Sequence, residues 1–246
     1  MTPGDLRRIT DAIAPEMIAV PADGPDVCPM CRSWRAESFD LCNNCAQAID
    51  DLSAPCQFVI PISLYAKPSP MRDRLTFYKD PVEADHARFP DEVAAILDRF
   101  FFEHGDRLRV RTGGWDRTCV VPSASRLPPH PLETALAAFR ASFVQVPDVL
   151  LTRHVGEVGH RKLSDDAFRP TSDIRGSRLL ILDDVYTTGA RCQSAASALT
   201  LAGAEVVGIV VVARRVNRDW TEGVQALWDR QAGAAYDFGQ PPWWAA

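Results

Sequence analysis

Short apolar runs alternate along the chain with longer amphipathic or small-residue stretches. Leu179 to Leu182 is unbroken by polar residues and too short for a free helix, so it predicts a strand buried on both faces of a parallel sheet. Residues 205–213, nearly continuous in Val and Ile, predict a second such strand. Residues 117–122 (Arg-Thr-Cys-Val-Val-Pro) and 148–152 (Asp-Val-Leu-Leu-Thr) predict two more. Residues 57–66 read as a strand with a break at Pro61, suited to a sheet edge. Helical spacing fills the gaps. Leu6, Ile9 and Ile13 share one helix face. Residues 91–104 form an amphipathic helix that begins after Pro90, carries acids in its first turn and stops before Gly105. Its Phe100 to Phe102 are expected in the core. Residues 132–143 and 190–203 predict two further helices. Strands interleaved with helices make this an α/β chain. Residues 153–176 are long, polar and basic, holding Arg153, His154, His160, Arg161, Lys162, Arg169 and Arg175. Their place between two core strands suggests a mobile lid.

Composition narrows the class. The chain has 246 residues, 46% hydrophobic, enough for one large domain or two small ones. Its net charge of −5 excludes a globally basic nucleic-acid binder; such binding would need a local patch. Lys67 to Pro81 is basic and interleaved with aromatics, a pattern able to touch single-stranded nucleic acid or a nucleotide, but a solvated helix face flanking the site is the favoured reading. No signal peptide or membrane-spanning apolar run is apparent, so a soluble cytoplasmic protein is expected. Trp220, Trp228, Trp243 and Trp244 lie in a polar tail and would cap either a core or a partner.

The seven cysteines include two close pairs, Cys28-x-x-Cys31 and Cys42-x-x-Cys45. Each pair can turn two thiolates toward one metal, and together they complete a tetrahedron. A closed four-sulfur site suits a structural Zn²⁺, which would supply much of the local folding energy. An iron–sulfur centre and a thiol redox pair are lesser alternatives. Cys56, Cys119 and Cys192 stand alone and are expected to be ordinary buried residues. Three regions follow: an N-terminal helix and linker over 1–24, a four-cysteine module over 25–55 and a larger α/β domain over 56–246.

The most informative stretch is 178–203. Its apolar strand ends in Asp183 and Asp184, turns through Thr187, Thr188 and Gly189, and enters a helix at Ala190. A small-residue loop at a helix N-terminus offers free N–H groups and the positive end of the helix dipole to a phosphate. Two adjacent acids at a buried strand end are costly without a task; here they are suited to accept hydrogen bonds from sugar hydroxyls. Asp183-Asp184-Val185-Tyr186-Thr187-Thr188-Gly189-Ala190 resembles the signature by which type I phosphoribosyltransferases bind phosphoribosyl pyrophosphate (PRPP).

The order of features sharpens the resemblance. A four-cysteine module, then Tyr65, Arg72 and Lys79, a strand ending in Val121-Pro122-Ser123, a polar loop ending in Asp166-Ala167-Phe168 and the signature together resemble the ComF family, a competence-associated branch of the phosphoribosyltransferases. The chain departs from that family after Pro122, where a single Arg126 replaces a richer basic stretch. The resemblance implies the type I fold, a parallel sheet of about five strands flanked by helices, with a small hood. It implies PRPP held by Asp183, Asp184, Val185, Tyr186, Thr187, Thr188, Gly189, Ala190 and Ser123, with Mg²⁺ on the pyrophosphate. Asp183, Asp184, Arg126, Arg161 and Lys162 would carry catalysis, as a glycosyltransferase moving phosphoribose to an unknown nitrogen acceptor. The alternative is a non-catalytic PRPP- or nucleotide-binding accessory protein whose zinc module contacts single-stranded DNA or a DNA-uptake partner. A homodimer is compatible with either.

Overall fold

The structure, a computed structural model, describes residues 2–123, 126, 128–149, 151–154 and 162–245. In chain order the elements are α1 (Pro3–Ile13), α2 (Asn43–Asp51), β1 (Val59–Tyr65), α3 (Pro70–Phe77), α4 (Phe89–Thr112), β2 (Arg117–Val120), α5 (Pro131–Phe139), β3 (Leu151–Arg153), β4 (Phe168–Pro170), β5 (Arg178–Tyr186), α6 (Ala190–Leu201), β6 (Glu205–Arg215) and α7 (Glu222–Ala232). The main sheet has the order β1-β6-β5-β2 and is parallel throughout. β1 therefore lies at an edge, where its Pro61 is tolerated.

Side chains alternate across the sheet and divide the core in two. Leu180 and Leu182 of β5, with Val210 and Val212 of β6, pack with Leu6, Val93, Leu97, Leu132 and Leu136 from α1, α4 and α5. Leu179, Ile181, Ile209 and Val211 face the other way, onto Ala195 and Leu199 of α6 and the four paired cysteines. Both faces of the central strands are covered, which is why they read as continuous apolar runs. No helix among the described residues is long and apolar enough to cross a membrane.

Several local expectations are corrected. The helix begun near Pro90 does not stop at Gly105 but runs to Thr112. Leu108 is fully buried and continues the face of Leu97 and Phe101, while one mid-helix glycine costs only about 1 kcal/mol. The real stop is Gly113, left-handed at φ 73°, whose N–H returns to Arg109 and Val110. Second, of the strand expected over 148–152, Leu151 and Thr152 do not join the main sheet, which has four strands among the described residues. Val149 makes a single parallel bridge to Cys119, and β3 then pairs antiparallel with β4. Thr152 and Arg153 are exposed there, as a two-stranded ribbon allows and a buried parallel strand does not. Third, the latter part of 153–176 is built rather than structureless, with Ala167, Phe168 and Ile174 buried against the α6 side of the sheet. In the tail, Trp243 and Trp244 cap the core, edge-on to Phe58 at 5.9 and 6.2 Å.

The helix expected over 132–143 ends early, at Phe139, because the buried carboxylate of Asp98 gathers the next turn. It accepts backbone N–H bonds from Ser142 (3.0 Å), Phe143 (2.7 Å) and Val144 (3.0 Å). Asp98→Ala orphans those amides and should destabilise the protein by about 3 kcal/mol in chemical denaturation. A loss below about 0.5 kcal/mol would show that the turn holds without it.

Candidate functional site

Asp183 and Asp184 end the buried part of β5 and are only 3% and 4% exposed. Each is held by protein groups. Asp184 accepts a 3.0 Å hydrogen bond from the Tyr78 hydroxyl and forms an ion pair with Lys79. Asp183 accepts from the backbone N–H of Asp184 (2.9 Å) and from the Cys192 thiol (3.1 Å). Burial and the neighbouring Asp184 charge push Asp183 up to about 7. Burial also opposes ionisation of Asp184, but Lys79 overcomes it and holds that carboxyl below its ordinary value. Near neutral pH the pair thus shares its burden unequally, with Asp184 the ionised member.

The segment that delivers Tyr78 and Lys79, expected to be a solvated helix face flanking the site, does flank it, but Met71, Arg74, Leu75 and Tyr78 are buried rather than solvated. Ser69 caps α3 through Arg72, and Arg74 is buried between Glu16 and Glu92, fixing the helix on α4. α3 then releases Tyr78 and Lys79 onto the acids. The signal was present as Tyr and Lys amid basic residues, but nothing in the local pattern named Asp184 as their partner.

The phosphate-type loop follows directly. Gly189 lies at φ 85°, and a Cβ there would sit 2.1 Å from the Tyr186 hydroxyl. Tyr186 is fully buried beneath the loop and accepts a 3.1 Å hydrogen bond from Gln193, which in turn bonds both backbone groups of Cys56 (2.9 and 3.0 Å). α6 has no acid in its first turn and no side chain on its N-cap. Its N-terminal amides and dipole therefore favour an anion. Arg214 donates to the carbonyls of Tyr186 (2.9 Å) and Thr187 from below.

On the β2 side, Arg191 of α6 donates to Pro122 O, tying the two loops together. A cavity of about 80 Å³ there is lined by Ser123, Arg126, His130 and Thr152. Arg126 forms a bidentate pair with Asp80 and donates to Lys79 O (3.1 Å), so it braces the segment that presents Lys79. His130 caps α5, its Nδ1 accepting from Leu132 N–H (3.1 Å). Burial lowers His130 to about 4, leaving it neutral at pH 7 beside Asp184, Lys79, Arg191 and Arg126. Of the expected site residues, Asp183, Asp184 and Arg126 converge here, joined by Tyr78, Lys79, His130 and Cys192. Val185 is half-buried at the strand end, and Thr187, Thr188 and Ala190 form the loop. Arg161 lies outside the described residues. Lys162 is described; just after it, Ser164 and Asp165 are tied to Ser194 and Ser197 of α6.

The four paired cysteines meet as expected. Their sulfurs all lie within 4.8 Å of one another, and those of Cys31 and Cys42 are 3.6 Å apart. A tetrahedral Zn²⁺ with bonds of about 2.3 Å needs sulfurs about 3.8 Å apart, so the cluster fits it. Cys45 and Cys31 are fully buried in the α6-side core, so the group is fused to the larger domain's interior.

Two outcomes follow. Gly189→Ala should lower the affinity for a phosphate ester more than tenfold by titration, because the loop cannot keep its path over Tyr186; unchanged affinity would mean the loop is not the anion site. For Asp183, the unfolded chain ionises the carboxyl near its ordinary value and the folded chain near 7. Between those values the folded state holds the extra proton, so its contribution to stability falls as pH rises. Denaturation at pH 5 and pH 8 should show a smaller drop in Asp183→Asn than in the parent; equal drops would contradict the raised value.

Residues 142–222, from the turn gathered by Asp98 through β6, match the family model described as the phosphoribosyl transferase domain. No curated protein matches the chain. The stretch that holds the paired acids, the loop and α6 is thus similar to a phosphoribosyl transferase domain, on a mixed α/β fold with a four-stranded parallel sheet.

Proposed function

We propose that the chain binds PRPP and transfers its phosphoribosyl group to a nitrogen acceptor, releasing pyrophosphate, as a ComF-like member of the type I phosphoribosyltransferases. The observation that carries this reading is the buried Asp183–Asp184 pair beside an uncapped α6 N-terminus. The 5′-phosphate would rest on the amides of Thr187 to Ala190. Ribose hydroxyls would replace Lys79 and Tyr78 on Asp184, and the freed Lys79 ammonium would meet the leaving pyrophosphate on the β2 side. Arg126, through Lys79 O, positions that segment. Charge building on the leaving group is the part of the reaction that such cations stabilise. Mg²⁺ prefers hard oxygen donors, which Asp183 and Asp184 provide, and when bound would neutralise pyrophosphate charge. Cys28, Cys31, Cys42 and Cys45 would hold a structural Zn²⁺.

A second reading, a PRPP-binding accessory protein without transfer activity, draws on Arg126. That residue is already spent on Asp80, so the β2 loop offers pyrophosphate little charge among the described residues. In this reading the cysteine module would contact single-stranded DNA or a partner protein.

Calorimetric titration of PRPP into zinc-assayed protein, with and without Mg²⁺, tests the shared premise. Micromolar binding, strengthened by Mg²⁺ and weakened at least tenfold in Asp183→Asn/Asp184→Asn, is expected. No binding by folded protein would sink both readings. Pyrophosphate release with trial amines or bases then separates transfer from binding alone.

A further inference from the structure

The cations around the β2-side cavity already have partners in the protein. Arg126 is paired with Asp80, Lys79 is paired with Asp184, and Arg191 donates to Pro122 O. His130 differs from all three. It lines the same cavity of about 80 Å³ and is only 6% exposed. It opens α5 in a reciprocal cap: Nδ1 accepts from the N–H of Leu132 (3.1 Å), and the His130 N–H donates to Glu133 Oε2 (2.7 Å). The cap fixes the tautomer. A ring nitrogen that accepts from a backbone N–H carries the lone pair, so in the neutral ring the proton sits on Nε2. The cap is the one hydrogen bond that the ring makes among the described residues, which leaves the Nε2 donor unused. Burial keeps the ring neutral against the pull of Asp184, and the charges of Lys79, Arg191 and Arg126 act in the same direction as burial. Glu133 also lines the cavity, but its carboxylate is turned back onto the His130 backbone.

A donor on a buried ring is costly to leave unmet. We infer that His130 is a pyrophosphate-binding residue, whose Nε2–H donates to a leaving-group oxygen of PRPP in place of the guanidinium that Asp80 occupies. This rests on the proposed reading of the site, in which the pyrophosphate lies on the β2 side. The placement suits the reaction. As the acceptor nitrogen forms its bond to C1 of the ribose, the C1–O bond breaks and the pyrophosphate leaves with the electron pair. The nitrogen sheds its proton to the departing pyrophosphate. His130 keeps its own proton throughout, and its hydrogen bond strengthens as charge gathers on the oxygen. A neutral donor has an advantage there over a further cation. Beside Lys79, Arg191 and Arg126 it adds no like-charge repulsion, and it needs no counter-ion when the ligand is gone. Because the cap sets both tautomer and ring direction, the donor is in place before the ligand arrives.

The test compares PRPP with ribose 5-phosphate, which has the same phosphate and sugar but no pyrophosphate. The variant is His130→Asn. Asparagine is among the best N-caps, so α5 keeps its start, while the shorter side chain has no donor at the Nε2 position. Calorimetry on the full-length protein with Mg²⁺ should show PRPP bound about tenfold more weakly, the loss expected for one hydrogen bond to a charged group. Ribose 5-phosphate affinity should stay within about twofold of the parent, since the 5′-phosphate loop and the acids are untouched. Equal losses for the two ligands, or no loss for PRPP, would overturn the assignment. Nitrogen NMR of the histidine rings in the parent protein stands even if His130→Asn fails to fold. The His130 Nε2 signal should move with PRPP and hold still with ribose 5-phosphate. A signal indifferent to bound PRPP overturns the role of His130 and leaves the proposed function intact. Failure of the parent protein to bind PRPP removes that function and this inference together.

Discussion

Two adjacent carboxylates at the end of a parallel strand repel each other and have lost most of their water, and the surrounding fold is shaped by how that cost is met. Asp184 takes the ammonium of Lys79 and the hydroxyl of Tyr78. Asp183 takes a thiol and a backbone amide, and keeps its proton to near neutrality. Asp184's partners come from a distant part of the chain, Asp183's from close by. Lys79 follows α3, which is seated by the buried Arg74; Cys192 lies in the first turn of α6. Arg126 reaches from the β2 side to hold the Lys79 segment. The partners are the kind a polyanionic, hydroxyl-rich ligand can exchange with. In the proposed reading, ribose hydroxyls replace Tyr78 and Lys79 on Asp184, and Lys79 then faces the ligand's negative charge. A purely structural ion pair would gain little from burial. The acid pair's place beside the anion-favouring N-terminus of α6 is what the proposed function rests on.

The opposite face of the sheet serves the loop in a different manner. Tyr186, Gln193 and Arg214 form its floor, and behind them stand the paired cysteines. In a chain whose regions were separate beads on a string, the cysteines would fold by themselves. Here they are part of the same core as Ile181, Ile209 and Ala195. Metal binding in such a group contributes folding energy to the region it belongs to, and that region includes the floor of the loop.

Much of this was legible in the residues. Continuous apolar runs marked β5 and β6 because both sheet faces are covered. The cysteine pairs and the Asp-Asp-…-Thr-Thr-Gly loop declared themselves because their chemistry is local and their spacing is short. What stayed hidden depends on pairing across long stretches. Lys79 and Asp184 are far apart in the chain, and no periodicity links them. His130 resembles an ordinary loop residue until α5 turns it inward. Gly105 was read as a stop because local propensity favours that, whereas burial of Leu108 decides otherwise. Residues 148–152 carry the apolar run of a core strand, yet Leu151, exposed Thr152 and exposed Arg153 pair in a ribbon with β4.

The most direct measurement is a crystal structure of the protein with PRPP and Mg²⁺. The account predicts the 5′-phosphate on the amides of Thr188, Gly189 and Ala190, ribose hydroxyls on Asp183 and Asp184, and Lys79 moved from Asp184 toward the pyrophosphate. PRPP bound away from the Thr187–Ala190 loop, with the Lys79–Asp184 pair intact, would contradict it.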